Sequence, residues 1–393
     1  MSTQVEKRKI KEFAEVTTGG TPSTIRPEFW EGGKIPWLRS GELKDCKIYN
    51  SEKFINDLGL RNSAARLMPA KTVLIALTGA TTGQTGMLEF EASANQSVTG
   101  ILPSSYHHAE YLFYYLRSIK RDVKSKTYGA AQPHISQEFV KNIIVPLPPL
   151  PIQRQIAAIL EKADAALQKR RKANQFTEQF LQSAFLEMFG DPVTNPKGWE
   201  TSTIEEISTL VTDGEHATPK RTMQGIKLLS ARNIQNGYID FAPGVDYIDQ
   251  SEYERIKRRC NPLLGDVLLS CSGSVGRVTT VNITEPFTMV RSVALIKPNH
   301  KIVHSKYLEH YLRTEQGQYL IKRSSKASSQ ANIFIGPIKD LPVLVPPLEN
   351  QQNFAALVEK VESLRVKQKK SELELETLFG SLMQKAFNGE LVS

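Results

Sequence analysis

The chain has 393 residues, 40% of them apolar and 23% charged, a composition that fills packed cores in two or three domains of the usual ~100–200 residues. No stretch approaches the roughly 18–20 apolar residues that span a bilayer, and the polar start MSTQVEKRKIKEF lacks the apolar core of a secretory leader, so the expectation is a cytoplasmic protein with no membrane attachment. Lys and Arg number 50 against 41 Asp and Glu, a net charge of +9, which favours a polyanionic partner. The excess is +5 over residues 1–147 and +3 over residues 191–345; two large blocks carry it, not a tail.

In chain order, the first block reads as mixed α and β. Val73–Leu77 is a short β-rich run bounded by glycines, and Tyr111–Ile119 reads as a short helix. A hinge follows with Pro146, Pro148, Pro149 and Pro151; proline stops what precedes it yet is tolerated at a helix start. One long helix is predicted from Ile152 to Phe189. Its residues Ile152, Ile156, Ile159, Ala163, Ala166, Ala173, Phe180 and Ala184 fall on the 4-3 spacing of a coiled-coil seam, which Arg170 and Thr177 interrupt.

The second block has the β-rich run Val267–Ser270 and a short helix at Tyr307–Arg313. Its hinge is Pro346 and Pro347, and its long helix runs from Glu349 to Phe387. Leu357, Val361, Leu364, Leu375, Leu378 and Leu382 form the seam, with Gln368 and Ser371 interrupting it. Gly190 and Gly389 stand where helix stops belong. About 38 residues make a rod of ~57 Å. The apolar residues Phe176, Leu181, Phe185, Leu186, Met188, Phe354, Val358, Leu373, Phe379 and Met383 lie off the seam and are expected to be covered by other chains.

The two halves are copies of one plan. HAEYLFYYLRS from His108 matches HSKYLEHYLRT from His304, VPLPPLPIQRQIAAILEKADAAL from Val145 matches VPPLENQQNFAALVEKVESL from Val345, and VLIALTGATTGQTG from Val73 echoes VLLSCSGSVGRVT from Val267. Offsets of 194 to 200 hold throughout, as duplication with small insertions requires. The expected fold is α+β: two mixed α/β globular blocks, 1–147 and 191–345, separated by a pair of long antiparallel α-helices, 148–190 and 346–393. Antiparallel pairing in a coiled coil would give this tandem repeat a pseudo-two-fold axis, with the blocks at opposite ends of the rod. Two core helices, each packed locally, remain the alternative.

Catalytic signatures are not found. There is no Asn/Asp-Pro-Pro-aromatic run of an amino-methyltransferase, no phosphate loop, and no triad or paired-carboxylate pattern. Gly79, Gly83 and Gly86 are too loosely spaced for a dinucleotide. His107 and His108 have no ligand set around them and read as a solvated loop. Cys46, Cys260 and Cys271 form no metal-type pair and read as free thiols of a reducing compartment. The chain is therefore expected to be no enzyme, with no metal and no cofactor of its own.

The runs TTGGTPSTIRPEFWEGGKIPWLRSGEL and TDGEHATPKRTMQGIKLLSARNIQNG, with the twice-used Pro-hinge helix, resemble specificity subunits of type I restriction–modification systems over nearly the whole chain. The resemblance implies that each block is a target-recognition domain reading one half of a split double-stranded DNA target, with the helices holding the halves at a fixed distance. It also implies docking of two copies of a methylating subunit, which binds S-adenosylmethionine and modifies adenine, and of a motor-nuclease subunit.

Basic blocks suit phosphate neutralisation, and polar loops suit the reading of base edges. The DNA-binding candidates of the first block are Gly19, Gly20, Thr21, Ser23 and Thr24, then Arg39, Ser40 and Lys44, then Thr81, Thr82 and Gln84, then Gln132 and His134. Those of the second are Gly214, His216, Thr218, Lys220 and Arg221, then Arg232 and Asn233, then Ser274 and Arg277, then Lys326, Ser328, Gln330 and Asn332. GGTPST in one copy stands where the other has DGEHATP, so the target should be asymmetric. Half-sites about one helical turn apart, ~34–36 Å, would suit such a rod. The basic clusters Lys169–Lys172 and Lys367–Lys370 read either as a solvated helix face or as a contact with DNA or an acidic partner. The rival to this reading is a coiled-coil scaffold that binds nucleic acid without specificity.

Overall fold

The computed structural model describes residues 5–127, 134–242, 244–325 and 332–392. Its contacts divide the chain into two units, Met1–Arg171 with Lys370–Ser393, and Lys172–Lys369. In the first unit the main sheet is built from β1 (Val16–Thr18), β2 (Cys46–Ile48), β3 (Val73–Ala76), β4 (Thr85–Leu88) and β5 (Val98–Ile101), in the order β1-β5-β3-β4-β2. Helix α1 (Ala109–Ser118) packs on it, and α2 (Leu150–Phe189) follows the proline hinge.

The second unit repeats this with β6 (Ser208–Asp213), β7 (Val267–Ser270), β8 (Val278–Thr280) and β9 (Val293–Pro298), in the order β6-β9-β7-β8. Helix α3 (Ser305–Arg313) and α4 (Leu348–Phe387) follow. Each unit also has a smaller sheet with one parallel pair, Ile35–Leu38 beside Ser93–Ala94 and Ile226–Leu229 beside Phe287–Met289. Val73, Leu74, Ile75 and Ala76 of β3 and Val267, Leu268, Leu269 and Ser270 of β7 are all buried. Such apolar runs fit strands covered on both faces.

The long helices are seated by the same device in both units. The buried Gln153 accepts from the His108 backbone N–H at 2.8 Å and donates to the carbonyls of Tyr106 at 3.1 Å and Pro148 at 2.8 Å. Gln351 does the same with His304 at 2.8 Å, Ile302 at 3.1 Å and Pro346 at 2.7 Å. The Tyr111 hydroxyl donates to the Pro146 carbonyl at 2.7 Å and that of Tyr307 to Leu344 at 2.8 Å. Each set closes polar groups that the proline hinge would otherwise leave buried without partners. Gly190 at φ 80° and Gly389 at φ 79° end the two helices, as helix stops in the left-handed region do.

Within each unit the two helices run antiparallel. In the first, Arg171 pairs with Glu372 at 3.1 Å and with Glu376, while Phe379 meets Tyr114 and Phe387 meets Tyr111. In the second, Thr177 donates to Gln368 at 3.1 Å, and Phe185 and Phe189 pack on Phe354. Thr177 and Gln368, which interrupt the two predicted seams, thus meet each other.

The seam itself is corrected. On α2 the buried side chains are Gln153, Ile156, Ala157, Leu160, Leu167, Thr177, Leu181, Ala184, Phe185 and Phe189, whereas Ala166 and Phe180 are exposed. Ile156, Thr177 and Ala184 of the predicted seam are buried, but elsewhere the buried stripe takes the next residue along, at Gln153, Ala157, Leu160, Leu167, Leu181 and Phe185, because the unit's own core as well as the partner helix covers it. Leu181, Phe185, Phe354, Val358 and Phe379 lie inside their units, so they are not waiting for another chain; Phe176, Leu186 and Leu373 are exposed.

His107 is also corrected. It is buried rather than solvated, with Nδ1 2.8 Å from the Ser104 hydroxyl and its ring against Phe13. Burial, with the nearby His108 charge, pushes its pKa down to about 4. All three cysteines are free, and burial pushes the thiols of Cys260 and Cys271 up to about 12. Among the described residues no helix is long and apolar enough to cross a membrane.

Candidate nucleic-acid interface

Strand register gathers the loops of the first unit at one end of its sheet. β1 ends, β3 ends and β5 begins there, with Thr18 opposite Thr99 and Ala76 opposite Val98. The smaller sheet joins this end through the Asn95 N–H, which donates to the Leu38 carbonyl at 2.9 Å. Gly19–Thr24, Arg39–Ser40, the β3–β4 turn with Thr81 and Gln84, and His134, bridged to Thr78, therefore form one cluster. Lys44 joins it beside Asp45, whose N–H donates to Thr85 at 2.9 Å.

The second unit builds the same cluster. Its Val290 N–H donates to Leu229 at 2.9 Å, which brings up Ser230 and Arg232. Asp213 lies opposite Ala294 and Ser270 opposite Val293. The β7–β8 turn carries Ser274 and Arg277, and Asn332 bridges to Ser272 as His134 does to Thr78. Gln132, Lys326, Ser328 and Gln330 lie outside the described residues.

Two expected contacts are corrected by burial. Asn233 is fully buried; its amide donates to the carbonyls of Asp240 at 3.0 Å and Gly244 at 3.1 Å and its oxygen accepts from the Ser230 N–H at 3.0 Å. Thr82 is buried and donates to the Gly79 carbonyl at 2.7 Å. Both hold their turns, a common use of short polar side chains. Gly19, Gly20 and Gly214 are buried too; a Cβ on Gly19 would sit 2.2 Å from the Ala94 carbonyl oxygen, and one on Gly214 2.2 Å from that of Met289. These glycines let two loops touch rather than face a ligand.

Ser23, Thr24, Arg39, Lys44, His134, His216, Thr218, Lys220, Arg221, Arg232 and Ser274 are exposed, and Thr21, Ser40, Thr81, Gln84, Arg277 and Asn332 half-buried. Several cations are already matched: Arg39 pairs with Glu42 at 3.8 Å and with Glu52, and Arg221 and Arg232 share Asp246 at 3.0 and 3.6 Å. His216 Nε2 lies 2.7 Å from Asp213, which Arg259 also meets. Such surface pairs are weak and open at low cost, so these guanidiniums can exchange a carboxylate for a phosphate or a base edge.

The loop between the smaller and main sheets, Asn95 to Ser97 and Val290 to Ser292, completes each cluster and was missed in the sequence. Its only signal there is the pair Ser97-Val98 and Ser292-Val293 at matching offset.

Residues 3–176 and 196–375 match the family described as the type I restriction modification DNA specificity domain. The chain is 25% identical to the type I restriction enzyme MjaIX specificity subunit of Methanocaldococcus jannaschii, over 98% of this chain and 93% of that one. Its fold is similar to a chain from a structure of the assembly and conformational transition of a type I restriction–modification system, with TM-score 0.59, 18% identity and coverage of 100% and 99% of the two chains. It is also similar to the type I S subunit of M. genitalium, with TM-score 0.57, 13% identity and coverage of 98% and 97%. Such subunits are the non-catalytic members of their systems. The two family matches together span most of the chain, and the chain belongs to the family of type I restriction–modification specificity subunits.

Proposed function

We propose that the chain reads an asymmetric, two-part sequence in double-stranded DNA, one part per unit, within a type I restriction–modification assembly. The observation that supports this most is a loop cluster built twice on one frame with different side chains at matching places: Thr21 against His216, His134 against Asn332, Thr81 and Gln84 against Ser274 and Arg277. Diverged tips on equal scaffolds fit two different half-sites. In this reading the long helices set the gap, two copies of an adenine-methylating subunit carrying S-adenosylmethionine dock on the chain, and a motor-nuclease subunit joins them in the cytoplasm. Exposed Phe176, Phe180 and Leu186 on α2 and Leu364 and Val366 on α4 are apolar surface for such partners to cover.

The test is selection of bound duplexes from a randomised library by the full chain, alone and with its modification subunit. The expected result is two specified blocks separated by an unread gap of fixed length, favoured over random duplex by ~10³-fold or more. Enrichment of a single contiguous motif, or of none, contradicts the proposal.

A further inference from the structure

The missed loop has the same backbone design in both units. Asn95–Val98 is a four-residue turn closed by the Val98 N–H donating to the Asn95 carbonyl at 3.1 Å; Val290–Val293 is closed by Val293 donating to Val290 at 3.1 Å. Three further bonds fix each turn. Gly19 donates to Val98 and Gly214 to Val293, at 3.0 and 3.1 Å; Gly20 donates to Ala94 and Glu215 to Met289, at 2.9 and 2.8 Å. Leu77 donates to Ser97 and Cys271 to Ser292, each at 2.8 Å. The close approach that forbids a Cβ at Gly19 and Gly214 is made to this turn, against the carbonyl oxygens of residues 94 and 95 in one unit and 289 and 290 in the other. A rigid turn pressed onto two strand ends is thus held at the middle of the loop cluster, twice.

The second residue of each turn is Gln96 in the first unit and Arg291 in the second, both exposed. Backbone bonds hold these positions, and the side chains of Gln96 and Arg291 stand exposed on the turns. Their chemistry differs as base readers differ. A glutamine amide offers one donor and one acceptor side by side, the match for adenine N7 and N6; the arginine fork matches guanine O6 and N7. The Thr21 hydroxyl donates to Gln96 Oε1, which orients the amide and leaves its NH₂ and an oxygen lone pair for a ligand. Arg291, unlike Arg39, Arg221 and Arg232, makes no side-chain ion pair among the described residues.

We propose that Gln96 and Arg291 are equivalent base-reading positions, Gln96 for an adenine in one part of the target and Arg291 for a guanine in the other. This rests on the two-part reading above. Rigid presentation is what direct readout needs, because a bidentate contact tolerates little misplacement.

The test uses the full chain, wild type and the exchanges Arg291→Gln and Gln96→Arg, each selected against a duplex library randomised over the whole target, with melting curves recorded beside it. Arg291→Gln should lower the preference for guanine at one position in one part by roughly 5- to 100-fold and leave the other part unchanged; Gln96→Arg should do the same for an adenine in the other part. Arg291→Lys, which keeps the charge but loses the fork, should keep overall affinity and lose most of that guanine preference. Wild-type base preferences in all three variants would overturn the proposal, as would a uniform loss of affinity for every sequence, the mark of a phosphate contact. A wild-type chain that selects no two-part target would instead sink the two-part reading itself.

Discussion

The two units share a frame but not a filling. Tyr111 and Tyr307, Gln153 and Gln351, Gly19 and Gly214 make the same bonds or the same close approach. Behind them the cores diverge. Where the first unit has Phe113 of α1 and Met87 of β4, both in one apolar cluster, the second has Glu309 of α3 and Thr280 of β8. Glu309 is wholly buried; it accepts from the Thr280 N–H at 3.0 Å and hydroxyl at 2.7 Å and pairs with Lys306 at 3.4 Å and Arg313 at 3.0 Å. Burial pushes its carboxyl up, but Lys306, His310, Arg313 and the Thr280 hydroxyl outweigh that and hold it below the usual carboxylate range. At the sheet edge, β2 of the first unit is replaced by a hairpin, Ile234–Gln235 with Tyr238–Ile239, whose Asn236 side chain accepts from the Val278 N–H at 3.1 Å. What the copies retain is what seats the helix and the turn that carries Gln96 or Arg291; what they exchange is core chemistry that either solution satisfies.

The sharpest way to break this comparison is to move one filling into the other frame. Phe113→Glu places a carboxylate where Glu110, not a lysine, stands at the position matching Lys306, and where Arg117, 5.2 Å from the Phe113 ring and matching Arg313, is already paired with Asp164 at 2.5 Å. A buried carboxylate that must compete with Asp164 for its one adjacent arginine, with Glu110 repelling it, should cost about 4 kcal/mol, a large loss of stability in denaturant titration. In the second unit, Glu309→Ala removes the buried carboxylate that Lys306, Arg313 and the Thr280 hydroxyl share and should cost about 3–5 kcal/mol. Tolerance of Phe113→Glu would show that the two cores are interchangeable.

A smaller effect separates the units by pH. His107 of the first unit occupies the place of Val303 in the second, both buried. With its pKa lowered to about 4 from an ordinary 6.5, the folded state binds fewer protons than the unfolded one. Its contribution is therefore complete above pH 6.5 and is lost as pH falls through the window from 6.5 to 4, at up to about 1.4 kcal/mol per pH unit. Ser104, Phe13 and His108 are the groups that face it. His107→Val should flatten the stability–pH curve in that window; an unchanged slope would place the titration elsewhere.

Local signals made the helices legible. The proline hinges and terminal glycines placed them at 152–189 and 349–387, against Leu150–Phe189 and Leu348–Phe387 observed. Their rotation was legible only in part: Ile156, Thr177, Ala184 and Val361 are buried as the seam predicts, while Gln153 and the unit's core decide the rest of the buried stripe. The loop candidates gathered at one sheet end because strand alternation and the duplication are both written in the sequence. Which of their polar side chains face outward was not, as Asn233 and Thr82 show: a short polar side chain satisfies its own turn as readily as a ligand. Gln96 and Arg291 escaped notice because their turn is closed by backbone bonds and carries neither glycine nor proline.

The central claim is that each unit reads its own part of the target. It is tested most directly by exchanging residues 1–147 for the corresponding block of a relative with a different target and mapping adenine methylation across a genome in cells that also express the modification subunit. The account predicts that one part of the methylated sequence changes while the other part and the gap stay as in the wild type. A change in both parts together, or in neither, would contradict it.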